Sequence, residues 1–193
     1  EQLLRNEDLL AEIERIGGRL ALVLMPGIQY LTGQLLDLGA LAKAGHAVGA
    51  RVGFDLAHAM GNVPLSLHDW GADFAVWCSY KYLNGGPGAT AGAFVHERHF
   101  KADLPRLAGW WGNDLANRFE FGTEFRPYAG AAGWQVSNTP LLGMVPLKAS
   151  LELFAAAGFP ALCARSRELT AWLERLLDQQ LGKQIEILTP RDP

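Results

Sequence analysis

Residues 73–81, with the sequence DFAVWCSYK, are the stretch that decides the predicted fold. Their apolar and aromatic run at 74–79 is typical of a strand inside a parallel sheet, and Lys81 follows its end. The stretch RVGFD at 51–55 predicts a second short strand, which ends in Asp55. Because ligands bind beyond the carboxyl ends of parallel strands, Asp55 and Lys81 are predicted at the edge where a site forms.

The rest of the chain alternates between helical and strand patterns. Apolar residues recur with helical spacing in four segments: 3–16, 35–48, 141–156 and 160–181. Three further apolar runs predict strands: 20–25, which we interpret as buried on both faces, 91–96 and 185–188. This order predicts an α/β fold with a mostly parallel sheet and helices on both of its faces.

The composition limits the class of protein and its partners. A chain of 193 residues with 49% hydrophobic side chains is typical of a globular protein with one core. A net charge of -3 gives no reason to expect a nucleic acid partner. The apolar run at 20–25 is far shorter than the roughly 20 residues of a membrane span, and the chain opens on charged residues. We therefore predict a cytoplasmic protein that binds no membrane.

The cysteines and histidines predict neither a disulfide nor a metal site. Cys78 and Cys163 lie in apolar stretches without a CxxC spacing, so both are expected to be buried thiols. His96 and His99 lack the i, i+4 spacing of a zinc-binding helix.

Lys81 has two interpretations. In the first, it is a lysine at a strand end whose stem covers the core while its amine reaches water. In the second, its amine is partly desolvated and acts as a nucleophile towards a carbonyl group.

Asp55 has two interpretations as well. Its carboxylate could cap the segment that follows, or it could pair with a cationic ring nitrogen, as an acidic residue does beneath pyridoxal phosphate. A lysine and a carboxylate at the strand ends of one sheet are what that cofactor requires. His58 comes three residues after Asp55, nearly one helical turn, and could return over the same site.

Three stretches carry a close resemblance to a known family. They are GFDLAHAMGNVPLSLHDWGADFAVWCSYKYLNGGPGATAGAFVHERH at 53–99, GWWGNDLANRF at 109–119 and QVSNTPLLGMVPLKASLELF at 135–154. Together they resemble the kynureninase family, which consists of pyridoxal phosphate enzymes of fold type I. The resemblance extends over essentially the whole chain. It implies hydrolytic cleavage of L-kynurenine, or of 3-hydroxykynurenine, to anthranilate, or 3-hydroxyanthranilate, and L-alanine.

The resemblance also implies roles for four residues near the predicted sheet edge. Lys81 would be the lysine that forms the Schiff base with the cofactor, and Asp55 would pair with the pyridinium nitrogen. His58 would lie beside the cofactor. Tyr80 would contact the phosphate and assist proton transfer, which makes Lys81, Tyr80 and Asp55 the expected catalytic residues.

Trp110 and Asn138 resemble the family's remaining cofactor contacts, which reach the phosphate end from the neighbouring subunit of a homodimer. Asn138 is also a candidate determinant of the choice between kynurenine and 3-hydroxykynurenine. By this resemblance, residues 1–140 are part of the large cofactor-binding domain, and residues 141–193 are connecting helices and the beginning of the small domain. Segments outside the chain would supply the ring-stacking aromatic residue, the rest of the phosphate site and an arginine for the substrate carboxylate.

Two other functions remain open. A cysteine desulfurase or another lyase of the same fold would need an exposed, mobile nucleophilic cysteine, for which Cys78 and Cys163 are poorly placed. A non-catalytic homologue would keep the fold without turnover. The 193 residues alone are expected to be inactive.

Overall fold

A computed structural model describes residues 3–120 and 122–191. In the described residues, four strands form a sheet in the order β1, β2, β3, β4. Their bounds are Leu22–Pro26, Arg51–Asp55, Phe74–Trp77 and Gly92–Val95. Strands β1, β2 and β3 run parallel, and β4 pairs antiparallel with β3. The predicted α/β class and the mostly parallel sheet are therefore confirmed.

Four α-helices accompany the sheet: α1 (Asn6–Ile16), α2 (Leu38–Ala47), α3 (Leu141–Ala157) and α4 (Phe159–Gln180). Short 3₁₀ helices lie at Gly17–Arg19, Glu97–His99, Ala131–Trp134 and Gly182–Gln184. Taken singly, none of the described helices has both the length and the apolar composition of a bilayer span. Only α3 and α4 together meet that test, and they are bent by 86° at their junction.

The core lies between one face of the sheet and helices α1 and α2. Helix α2 begins at Asp37, whose side chain accepts a hydrogen bond from the Ala40 amide at 2.9 Å. A Cβ atom at Gly45 would lie 2.5 Å from the Val52 side chain, so glycine lets α2 approach the sheet closely. The largest fully buried side chains of this layer are Phe54, Leu41, Leu56 and Val52.

The opposite face of the sheet is open in the described residues. Leu22, Leu24 and Val76 point to it and are 42%, 54% and 45% exposed. The sequence predicts helices on both faces of the sheet, but in the described residues they cover one face only. The interpretation of β1 as a strand buried on both faces is wrong. An apolar run shows that a strand can be buried, but it does not show which elements cover it.

The expected strand at 185–188 is also wrong, since these residues have no regular secondary structure. The backbone is extended at Ile185, with φ -132° and ψ 158°. A strand exists only beside a hydrogen-bonded neighbour, and in the described part of the chain no strand pairs with this segment.

Candidate active site

Asp55 lies at the carboxyl end of β2 and is exposed. Its Oδ1 atom accepts a hydrogen bond from the Ala57 amide at 2.9 Å, which fixes the start of the following turn. Its Oδ2 atom has no hydrogen bond to any described residue. The carboxylate therefore caps the turn with one oxygen while the other stays available for a ligand.

Lys81 follows β3 and meets His58 from the turn after β2. The Nζ atom of Lys81 lies 2.9 Å from the Nε2 atom of His58, and both residues are half-buried. The turn is closed by hydrogen bonds from the amides of Ala59 and Met60 to the Leu56 carbonyl. A hydrogen bond between two nitrogens requires a free lone pair on one of them. The Lys81 amine is therefore half-buried and bonded to a ring nitrogen, so it does not extend free into water as the first interpretation expects.

Three tyrosine rings surround this pair. The rings of Tyr30 and Tyr82 have centroids 6.3 and 6.2 Å from that of His58, and the Tyr80 centroid lies 5.8 Å from the Lys81 amine. Sequence reasoning missed Tyr30 and Tyr82. Tyr30 follows β1, so the rule that sites form beyond strand ends could have found it had it been applied to that strand too.

Trp110 and Asn138 lie apart from these residues. The Trp110 indole N–H donates to the Arg118 carbonyl, and its side chain is 55% exposed. Asn138 is exposed, and its Oδ1 atom accepts from the Ser137 hydroxyl at 3.2 Å. No hydrogen bond or ring contact within the described chain joins either residue to His58 or Lys81.

A second polar cluster, missed by sequence reasoning, surrounds Asp73. This residue directly precedes β3, so the cluster lies at the end of the strand opposite to Lys81. The Asp73 carboxylate lies 2.9 Å from His46 and 2.6 Å from His99, and it accepts from the Val52 amide at 2.7 Å. Burial by itself raises the pKa of this carboxyl. The hydrogen bonds from His46, Val52 and His99, together with the charge of Arg98, outweigh that effect and lower the pKa of Asp73 to about 2.

The histidines considered for metal binding have other partners. His99 bonds Asp73, and the His96 ring stacks on the His68 ring with centroids 4.9 Å apart. Within the described ranges, no three histidine, cysteine or acidic side chains converge as metal ligands.

Neither cysteine is exposed. Cys163 is buried on α4 as expected, with Sγ 3.7 Å from the Asn62 carbonyl oxygen. Cys78 directly follows β3 and is only half-buried, with Sγ 3.8 Å from the Ala57 carbonyl oxygen, because the strand ends one residue earlier.

The family model for aminotransferase class-V matches residues 4–192, so the chain belongs to the aminotransferase class-V family. A cysteine desulfurase from Escherichia coli has a similar structure, with a TM-score of 0.71 and 21% sequence identity over 90% of this chain and 42% of that one. This likeness concerns the fold alone, which it confirms.

Two curated proteins named kynureninase resemble this chain in sequence. The one from Xanthomonas campestris is 57% identical over 98% of this chain and 45% of its own length. The one from Koribacter versatilis is 55% identical over 100% of this chain and 46% of its own length. The resemblance to kynureninase is confirmed, and the chain spans about half the length of these relatives.

Proposed function

We propose that the whole protein that carries this chain is a pyridoxal phosphate-dependent hydrolase. Its reaction would be the cleavage of L-kynurenine, with one water, to anthranilate and L-alanine. The observation that carries the proposal is the position of the Lys81 amine, 2.9 Å from His58. Lys81 follows the end of β3, and Asp55 is the last residue of the neighbouring strand β2. The identity of 57% to a kynureninase supplies the substrate.

The residues at this edge fit the cofactor. Lys81 offers an amine for its aldehyde, and Asp55 offers an unbonded carboxylate oxygen for its ring nitrogen. No ion pair between Asp55 and Lys81 occurs in the described parts of the chain, so both groups stay available to a ligand. When bound, pyridoxal phosphate supplies an aldehyde for the amine and a ring that withdraws electrons from the substrate's α-carbon.

Each of the four residues then has a task. Asp55 holds a proton at the ring nitrogen, and the Lys81 amine removes the proton from the α-carbon of the substrate. His58 lies beside the amine and orients it. The Tyr80 hydroxyl gives a proton to the carbon that becomes the methyl group of alanine. These assignments follow the resemblance, and the contacts of Lys81 support them.

The test is an assay of the purified whole protein with pyridoxal phosphate and either L-kynurenine or L-cysteine. We expect anthranilate and alanine in equal amounts from kynurenine and no sulfide from cysteine. Sulfide release would instead favour a desulfurase, and cofactor binding without either product would favour a non-catalytic homologue. The cysteine reaction is disfavoured because both Cys78 and Cys163 are at least half-buried.

We further propose a homodimer in which Trp110 and Asn138 complete the partner's cofactor site. Their exposure and their lack of contact with Lys81 support this arrangement. Mixing Lys81→Ala with Trp110→Phe subunits tests it. If Trp110 acts across the interface, the mixed dimer contains one intact site and regains activity. If Trp110 acts within its own subunit, every site lacks one residue and activity stays absent.

The remaining expectations stay proposals of the same kind. Residues 1–140 would belong to the large domain and residues 141–193 to connecting helices and the start of the small domain. The protein would act in the cytoplasm.

A further inference from the structure

The side chain of Arg118 lies inside the turn that carries Trp110. Its Nη2 atom donates to the carbonyl oxygens of Trp111, at 2.8 Å, and Asn113, at 3.3 Å. The guanidinium group lies over the Trp111 ring, with Cζ 4.4 Å from the ring centroid. Its Nε atom is buried and has no hydrogen-bond partner in the described chain. The stack and the two carbonyl contacts therefore hold this side chain in place.

The same residue fixes Trp110 through its backbone. The Trp110 indole N–H donates to the Arg118 carbonyl, and the Phe119 ring meets the Trp110 ring edge-on with centroids 5.4 Å apart. The orientation of the indole is thus set by residues 118 and 119, while more than half of its surface stays exposed.

The turn forms a wall of a cavity of about 500 Å³, whose lining includes Trp110, Asn113 and Arg118. Asn113 Oδ1 accepts from the Arg126 amide at 3.0 Å, so the turn is also joined to the segment that follows. Without the Arg118 guanidinium, the Trp111 and Asn113 carbonyls lose their donor and the Trp111 ring loses its cover. The Arg118 side chain is therefore one of the groups that set the shape of the turn and, with it, the place of Trp110.

We propose that Arg118 is a positioning residue that holds the exposed ring of Trp110 in place for its contact with the phosphate end of the cofactor. This inference rests on the proposed function, because that function makes Trp110 a cofactor contact. Lysine cannot replace Arg118, since an ammonium group has neither the planar fork that reaches two carbonyls nor the flat face that stacks on indole.

The first test needs no cofactor. The whole protein is labelled with 5-fluorotryptophan, and the Trp110 resonance is assigned by its loss in Trp110→Phe. We expect Arg118→Gln and Arg118→Lys to shift or broaden this resonance. Arg165→Gln is the matched control, because the Arg165 guanidinium pairs with the exposed Glu168 on helix α4, and it should leave the resonance in place. An unchanged Trp110 resonance in both Arg118 variants overturns the proposal.

The second test measures the Kd of pyridoxal phosphate. Displacement of the Trp110 ring removes one cofactor contact, so Arg118→Gln should raise the Kd by about tenfold while the protein stays folded at the assay temperature. In the Trp110→Phe background the same substitution should add nothing. An equal loss in that background, or an unchanged Kd in Arg118→Gln, overturns the proposal. If the wild-type protein binds no cofactor, the proposed function fails, and the fluorine spectrum still decides whether Arg118 orients Trp110.

Discussion

A lysine amine bonded to an imidazole nitrogen differs from a lysine amine that extends into water, because the hydrogen bond fixes its position. Lys81 is the one lysine of the chain in this situation. All five lysines are described, and the other four are exposed: Lys43, Lys101, Lys148 and Lys183. Its position and its contact with His58, rather than the mere presence of an amine, support the proposal that Lys81 is the cofactor-binding residue.

Lys81 is expected to be the residue that binds pyridoxal phosphate covalently. Borohydride fixes the bond between the cofactor and the amine, so reduction followed by peptide mapping should place the label on Lys81. The exposed lysines serve as internal controls. A label on any of them in place of Lys81 would contradict the assignment.

Asp55→Ala and Asp55→Asn separate the two tasks of the Asp55 carboxylate. Asparagine can still accept the hydrogen bond from the Ala57 amide but carries no charge for a ring nitrogen. If the charge matters, both variants should lose about tenfold to a hundredfold in kcat while keeping the fold, as measured by steady-state kinetics and circular dichroism. Near-normal activity of Asp55→Asn would show that Asp55 is only a cap. Asp69→Asn is the control, since Asp69 is exposed and its carboxylate contacts His68.

Sequence reasoning named the candidate site residues that stand near strand ends, and it missed residues that reach this region or the core from distant positions. Asp55 and Lys81 each close an apolar run, so local pattern was enough. Asp73 and His46 are 27 residues apart, and no spacing rule relates them. Their contact follows from how α2 packs on β1 and β2, which the apolar pattern alone does not specify.

Element types were predictable because helical and strand periods are local properties. The elements against which each helix or strand packs could not be predicted in this way. The run at 20–25 forms a strand as predicted, but its exposed leucines depend on which helices lie above it. The run at 185–188 has the apolar pattern of a strand but lacks a neighbour to pair with in the described chain. Pairing and layer order are long-range properties, and only the structure supplies them.

The Asp73 cluster joins helix α2, strand β2 and the 3₁₀ helix at Glu97–His99, and it should make stability depend on acid pH. The pKa of Asp73 is about 2 in the folded chain and 3.8 ordinarily, so its stabilising effect is complete above pH 3.8 and is lost as the pH falls through 2. This shift corresponds to about 2 kcal/mol. Urea unfolding between pH 5 and 2 should show about that much extra loss in the wild-type protein compared with Asp73→Asn. Asp103→Asn, an exposed carboxylate, is the control. Equal pH dependence of wild type and Asp73→Asn would contradict the assignment.

At the scale of the whole molecule, the described chain leaves its site open. One face of the sheet exposes Leu22, Leu24 and Val76, and the Asp55 carboxylate faces the same side. The curated relatives are more than twice as long as the matched region. Trp110 and Asn138 make no contact with Lys81 in the described residues. An enzyme that must exclude water during proton transfer needs more cover than this edge has.

We therefore expect the 193 residues alone to bind pyridoxal phosphate weakly and to leave kynurenine intact. The chain supplies the amine, the carboxylate and part of the phosphate contacts, but each contact from outside it is lost, together with the closure that excludes water. Its exposed apolar face should also promote self-association, which light scattering would detect. The measurement is a titration of the purified chain with pyridoxal phosphate, followed by an anthranilate assay. The whole protein, treated in the same way, is the control. Tight, stoichiometric binding with measurable cleavage by the 193 residues would show that the open edge is already a complete site.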